Sequence, residues 1–575
     1  MIVLQGQRLM ILKEENVSSQ VLDHLGLVTS VIKDIGLIEK IDQRIPVSKE
    51  KGARLTIGQR IAAMLLNGLG FMDDRLYMFP KFLENKPVSR LFDSNVSAAD
   101  FNDDSLGRGL DAVFDFGVTP LFSELAFDIG IHQKLLGRSA HFDTTSLLLY
   151  GAYQDDESAL FDETAEETST AVGSSSSGQA IEVTYGYSKA NRPDLKQVVL
   201  NLATTGAANF PIWMEACSGN ASDKVVLQAA ASRMQAFCKE LEESPSFLYV
   251  GDSAMYERCV NEAGEIKWLS HVPERLKEAK KWLLIPDQSY EWIELEDGYR
   301  ITGLSDASYG DVAQRWILIH SEHAASRELK TLEKRIQKEK ETYTKIVWHL
   351  GNQEFTCDHD ALLAAEKAVK ALKYHQVTWV TLPIEKHVKR GRPKADDLPQ
   401  VVGYRIQGTL TEDSERIDLA KRCKGRFILA SNELDKTILP DEAFLSEYKE
   451  QIKTEQGFRF IKNDAFEVDS IFLHKPSRIE ALMMVMTLCL MIYSIAQHKL
   501  RQALEQANET IPDQLSRETK KPTMAWVFRL FHGVHVWTIH QGEKTQTLVV
   551  NLTALMKRII GYFGPSAEKI YALSG

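Results

Sequence analysis

Through much of residues 1–136 the apolar positions recur at helical spacing and predict a helical region. The stretch LTIGQRIAAMLLNGLG is the clearest case. Asn102 or Asp103 reads as the opening of a helix through LDAVF, and Thr119-Pro120, a cap followed by proline, as the opening of another through LFSELAFDIGIHQKLLG. Then the texture changes. HFDTTSLLLYGAY, IEVTYGYS and KQVVLNLATT are rich in β-branched and aromatic residues and predict three strands, with the turn-forming NRPD before the third. An acidic and then Ser/Gly-rich stretch (DDESALFDETAEE, VGSSSSGQ) lies between the first two and reads as a surface loop. A helix is predicted over residues 223–243, opened by Ser222-Asp223, followed by a short apolar strand ending in Gly-Asp, SFLYVGDSAMY. Three strands, a helix and a fourth strand is the order of a ribonuclease-H-like core.

From about 265 to 425 the pattern is mixed: short strand-like pieces such as YRITGL and RWILIH surround a charged helix over residues 326–343, with a further strand predicted over 425–432. A helix is predicted from an Asp441 cap to about Lys462, and the remainder reads as mostly helical, ending in LTALMKRIIGYF. The longest apolar run, residues 479–496, contains Glu480 and falls short of a membrane span, so it is expected to be a buried core helix.

A chain of 575 residues with 44% hydrophobic and 26% charged residues is expected to fold as several globular domains. Its start, MIVLQGQRLMILKEE, lacks the basic-then-apolar layout of a signal peptide. The six cysteines are scattered without CxxC pairing, which points to unpaired thiols in a reducing cytoplasm and against a disulfide scaffold or zinc site. The net charge of −11 gives no overall basic footprint, and residues 1–136 hold 15 Lys/Arg against 18 Asp/Glu. Nucleic-acid binding would therefore rest on local patches. His532, His535 and His540 approach metal-ligand spacing but have no cysteine or carboxylate partners and read as ordinary core or surface histidines.

The candidate chemistry lies in carboxylates. Asp143 sits within the first predicted strand and Asp252 at the end of the fourth, where α/β sheets usually bind ligands. Hard divalent cations such as Mg2+ take oxygen ligands and keep waters and substrate phosphate in their remaining positions. A third acid would complete a two-metal site. In YKEQIKTEQGFRFIK, Tyr448, Gln451, Glu455 and Lys462 fall within roughly 60° of one another at about 100° per residue, so one helical face would present a hydroxyl, an amide, a carboxylate and an ammonium.

With these residues in view, the sequence resembles transposases of the insertion-sequence-4-like superfamily, in the insertion-sequence-1634 branch. Their Tyr-x2-Arg-x3-Glu-x6-Lys signature is matched by Tyr448-x2-Gln451-x3-Glu455-x6-Lys462, with glutamine where arginine is commonest. TYGYSKANRPDLKQVVLNL, VIKDIGLIEKIDQRIP and GLGFMDDRLYMFP resemble further segments of that branch. The resemblance implies an α/β fold: a ribonuclease-H-like catalytic core interrupted by a mostly β insertion domain, with helical N-terminal and C-terminal regions. On this reading residues 1–136 are a DNA-end-binding or dimerisation domain, 137–264 and 425–476 are the two parts of the core, 265–424 the insertion and 477–575 a helical end. Asp143, Asp252 and Glu455 are implied as the catalytic triad and as ligands of two Mg2+ ions, with Mn2+ able to substitute. Tyr448, Gln451 and Lys462 are implied as DNA contacts.

Between Asp252 and Glu455 lie six tryptophans (268, 282, 292, 316, 348 and 379), any of which could stack on a flipped base as relatives do. The segment KHVKRGRPK, with Lys389, Arg390, Arg392 and Lys394, resembles an AT-hook core, in which arginines enter the narrow A·T minor groove. The implied activity is cut-and-paste transposition: a homodimer binds the terminal inverted repeats in double-stranded DNA, cleaves each end, and joins the 3′-hydroxyls to target DNA, directly or through a hairpin. No membrane is involved, and the expected location is the bacterial cytoplasm at the nucleoid. Two rival readings remain: a metal-dependent nuclease without strand transfer, and an inactive DNA-binding repressor derivative.

Overall fold

The structure is a computed structural model. It describes residues 2–5, 8–11, 17–47, 54–70, 78–92, 96–150, 180–187, 192–259, 266–304, 309–310, 312–387, 398–462, 473, 475–541 and 544–573. The chain is a mixed α/β protein in two compact units: Met1–Trp268 with Glu447–Gly575, and Leu269–Ser446.

The first unit is built on four strands. Ser139–Leu149 pairs antiparallel with Lys196–Thr205, which pairs antiparallel with Phe210–Ser218. On its other side, Ser139–Leu149 pairs parallel with Leu248–Gly251. All ten residues of Lys196–Thr205 are buried, so both faces of the sheet are covered there. The connection from the third strand to the parallel one is the helix Asp223–Glu240, close to its predicted span.

One strand was misplaced by the sequence reading. IEVTYGYS carries only an isolated bridge, Thr184 to Gln197. The third strand is instead Phe210–Ser218, whose Pro211 would argue against a strand in a linear reading. A register shift between Ala203 and Thr204 accommodates that proline beside Thr204.

Helices pack around this sheet. Pro476–Ala507 is the apolar helix read from the sequence. It is long and apolar enough to cross a membrane, but 89% of its most apolar window is buried inside the protein, against Ile57–Leu69, Asp103–Phe116 and the strand Phe210–Ser218. Ile57–Leu69 opens on a capping box between Thr56 and Gln59. Asn102 caps the next long helix, accepting from the Ser105 N–H at 2.9 Å. Thr119 does not act as a cap: the helix Val118–His132 starts at Gly117, placing Pro120 in its first turn, where a missing N–H costs nothing.

The terminal regions are less helical than expected. Val17–Val21 pairs with His535–Gln541, which pairs in turn with Lys544–Val550. Ile2–Gln5 and Arg8–Ile11 form a further two-stranded pair.

In the second unit, Leu269–His271 of the strand Lys267–His271 pairs with Arg426–Ser431, followed by Arg315–Ser321, Tyr299–Leu304 and Ile293–Glu294, all antiparallel. A long ribbon, His375–Lys386 against Gln400–Glu412, packs on the helices Glu322–Gly351 and Asp358–Val369 through Leu350, Ala361, Ala365 and Ile406. The region expected to be mostly β is thus mixed. The charged helix read over 326–343 extends to the 30 residues Glu322–Gly351, most of them exposed, as a solvated charged face would be.

Candidate functional site

The parallel pairing sets the strands of the first two acids side by side. Ser139, Ala140 and His141 align with Leu248, Tyr249 and Val250; Asp143 lies two residues further along the first strand, and Asp252 directly follows the second, which ends at Gly251. Both carboxylates stay partly exposed. Asp143 Oδ1 accepts from the Thr144 N–H at 2.8 Å, and Asp252 Oδ1 accepts from the Ala254 N–H at 2.9 Å, local bonds that fix each side chain at its strand.

Glu455 comes from a helix laid across these strands. The single helix expected from Asp441 to Lys462 is broken: Ala443–Lys449 ends before Ile452–Ile461 begins. Between them the backbone tightens to i→i+3 bonds, from Gln451 N to Tyr448 O, from Lys453 N to Glu450 O and from Thr454 N to Gln451 O at 2.9–3.1 Å. The anchor is Thr454, fully buried. Its hydroxyl donates to the His141 carbonyl at 3.1 Å. Having one hydrogen, it must therefore accept from the Thr204 hydroxyl, 2.6 Å away. Two strands of the sheet thus hold the residue next to Glu455.

The break changes which residues share a face. Tyr448 stands on the preceding helix, yet its hydroxyl remains among the acids. Burial, reinforced by Asp252, Glu455 and Asp143 in that order, pushes it up to about 12. It therefore keeps its proton at neutral pH. Gln451, at the head of the second helix, is 9% exposed.

Asp143, Glu455 and Lys462 line one cavity of about 470 Å³ with Thr144, Thr145, Phe458 and Arg459. Sequence reading missed Arg459. Its signal was the spacing: four residues after Glu455, it falls on the same face of the helix. On the same strand as Asp143, His141 is buried, with Nε2 2.9 Å from the Ser139 hydroxyl and, among the described residues, no hydrogen-bond partner for Nδ1; burial pulls its ring down to about 4.

The donor set suits a hard cation. Carboxylate oxygens are the ligands such ions prefer, and Mg2+ commonly takes only one or two of them beside waters and phosphate. Asp143 and Glu455 opening into one cavity meet that need. Among the described residues no three His, Cys, Asp or Glu side chains stand close enough to share a single ion.

Residues 17–127 match a family described only as a domain of unknown function, DUF4277. No curated protein matches the sequence. Among solved structures, one match is the piggyBac transposase synaptic complex with hairpin DNA, at 10% identity and a TM-score of 0.33, covering 89% of this chain and 80% of that one. A superposition that loose fixes neither strand order nor site.

Other candidate residues fall elsewhere. Lys389, Arg390, Arg392 and Lys394 lie outside the described residues, as does the acidic and Ser/Gly-rich stretch. Trp268 and Trp316 are fully buried and cannot stack on a base, whereas Trp348 is 65% exposed. Trp292 is partly exposed, with the Arg300 guanidinium 4.5 Å from its ring. His532, His535 and His540 form no metal cluster; His535 Nδ1 meets the Ser19 hydroxyl and His540 Nδ1 the Thr545 hydroxyl.

Proposed function

We propose that this chain is a DNA transposase of the DDE type, in the insertion-sequence-4-like superfamily, working through a ribonuclease-H-like core. One observation carries the reading: Asp143 and Glu455, far apart in sequence, line one cavity, and the strand Leu248–Gly251, which Asp252 directly follows, pairs parallel beside the strand of Asp143. The strand order supports it, with an antiparallel trio, a helix, and a parallel fourth strand beside the first. Clustered acids repel one another, and a cation or a held proton is the physical reason to gather them.

Asp143, Asp252 and Glu455 would hold two Mg2+ or Mn2+ ions, which when bound supply charge stabilisation and an activated water for in-line phosphodiester attack. Tyr448 keeps its proton at neutral pH, which supports a role as an orienting group and not as a nucleophile. Lys462 at the cavity rim offers its ammonium to the DNA backbone. Strand transfer reuses the same site, with a 3′-hydroxyl in place of water. A homodimer would hold the two ends.

The test uses purified full-length protein and duplex DNA carrying the sequence that borders its own coding region. Cuts at defined ends are expected with Mg2+ and not with EDTA. Asp143→Asn, Asp252→Asn and Glu455→Gln should each abolish cutting while DNA is still bound. A pre-nicked end that joins target DNA identifies a transposase; cutting without joining identifies a nuclease. Continued Mg2+-dependent cutting by Asp143→Asn would sink the assignment of the triad.

A further inference from the structure

We propose that Arg459 is the phosphate clamp of this site, gripping a backbone phosphate of the DNA that enters the cavity; the inference rests on the reading of the site as a DNA-cleaving centre. The signature's usual place for a cation is four residues before Glu455, and here that place is unfit. It holds Gln451, whose amide has no charge, and Gln451 is 9% exposed where the chain tightens into the helix Ile452–Ile461. A phosphate arriving from solvent meets little of it.

Arg459 occupies the complementary position. Four residues after Glu455, one turn further along the same helix, it lies on the Glu455 face. It lines the same cavity as Asp143, Glu455 and Lys462, and its side chain is exposed. Among the described residues Arg459 makes no hydrogen bond and no ion pair, even with two carboxylates lining the cavity it shares. Among the described residues its donors are therefore uncommitted. A guanidinium presents a planar fork that matches two phosphate oxygens, whereas the Lys462 ammonium acts as a point charge. The cavity thus sets two acids against two cations on one short helix and the strand beneath it. That pairing suits a phosphate held by the cations, with a metal ion between it and the acids.

The rival role for the same geometry is charge balance, in which Arg459 only offsets the repulsion of the acids. The two roles differ in what salt does. A residue that neutralises a phosphate releases counterions, and removing it lowers the slope of log affinity against log salt by about one. A residue that only offsets the acids leaves that slope alone and shifts the Mg2+ requirement.

The experiment measures binding of the full chain to the same flanking duplex over a range of salt, in Ca2+ so that binding is read apart from cutting, with Mg2+ cleavage measured in parallel. Arg459→Ala should weaken binding by about tenfold or more, the range for a charge-assisted bond, and flatten the salt slope by about one. Arg459→Lys should restore the slope but only part of the affinity, because one charge returns without the fork. If Arg459→Ala keeps the wild-type affinity and slope while Glu455→Gln still abolishes cutting, the clamp is overturned and the reading of the triad stands. If Arg459→Ala changes only the Mg2+ concentration for half-maximal cutting, the clamp is likewise overturned in favour of charge balance. If the wild-type protein neither binds nor cuts the duplex, the underlying reading falls and the clamp falls with it.

Discussion

The hydroxyls of Thr204 and Thr454 meet at 2.6 Å, 250 residues apart in sequence and fully shielded from solvent. Thr454 passes its own hydrogen to the His141 carbonyl, so a strand pair and a helix are tied together one residue from Glu455. Thr454→Val keeps the shape and removes the relay. Leaving the buried Thr204 hydroxyl and a carbonyl without a partner should cost about 1–3 kcal/mol, read by urea unfolding. Thr454→Ser keeps the oxygen and should recover most of it. Cutting should fall more steeply than stability in the valine variant, because Glu455 loses its fixed position.

Tyr448 offers a separate test of the acids. Its hydroxyl, pushed up to about 12, is a donor at neutral pH and a poor nucleophile. Tyr448→Phe should slow cutting by about tenfold or more, the scale of a hydrogen bond to a charged group. No protein–DNA adduct should survive denaturing electrophoresis in either protein; a tyrosine-linked adduct would overturn the assigned role.

His24 predicts the acid sensitivity of the first unit. Its ring stacks on Phe528 at 4.3 Å between centroids, with Nε2 2.7 Å from the Leu69 carbonyl, and burial lowers it from 6.5 to about 4. The folded protein thus holds this ring neutral over a range where the unfolded chain binds a proton. Stability is fully present above about 6.5 and is lost as pH falls from there toward 4. Over that window the loss from this one residue is about 3 kcal/mol. His24→Gln keeps a donor for Leu69 and cannot titrate, so its stability should fall less steeply with acid. Parallel curves for the two proteins would refute the assignment.

Glu215 lies 1% exposed in the strand Phe210–Ser218, clasped by Arg233 through two bonds of 2.6 and 2.7 Å and by the Trp213 indole N–H at 3.0 Å. Arg233→Ala leaves a buried carboxylate without its cation and should cost about 3 kcal/mol in chemical denaturation. Adding Glu215→Gln removes the stranded charge, so the double variant should be more stable than Arg233→Ala alone.

How far the sequence could be read depends on the range of the interactions involved. Asn102 as a cap, the apolar run of Pro476–Ala507 as a core helix and KQVVLNLATT as a strand were legible because each depends on neighbours within a few residues. The strand Phe210–Ser218 was not, since Pro211 and Glu215 look wrong for a core strand until a register shift and Arg233 accommodate them. Asp143 and Asp252 could be picked out from strand context and resemblance, but nothing local says that their two strands are neighbours; the parallel pairing does.

By itself, the sequence determined the residues available for chemistry and the local elements carrying them: two aspartates on strands, and a helix bearing Glu455, Arg459 and Lys462 in order. Tertiary structure decided which of them stand together. It split the expected helix at Gln451, because anchoring Thr454 to the sheet tightens the turn before it. It buried Gln451 and turned Arg459 into the cavity beside Asp143 and Glu455. It also joined Val17–Val21 to the hairpin of His535–Val550 near the far end of the chain. The physical reason is common to all three. Helical and strand periodicities report contacts a few residues apart, whereas burial and pairing between distant segments depend on the whole set of surfaces competing to be covered.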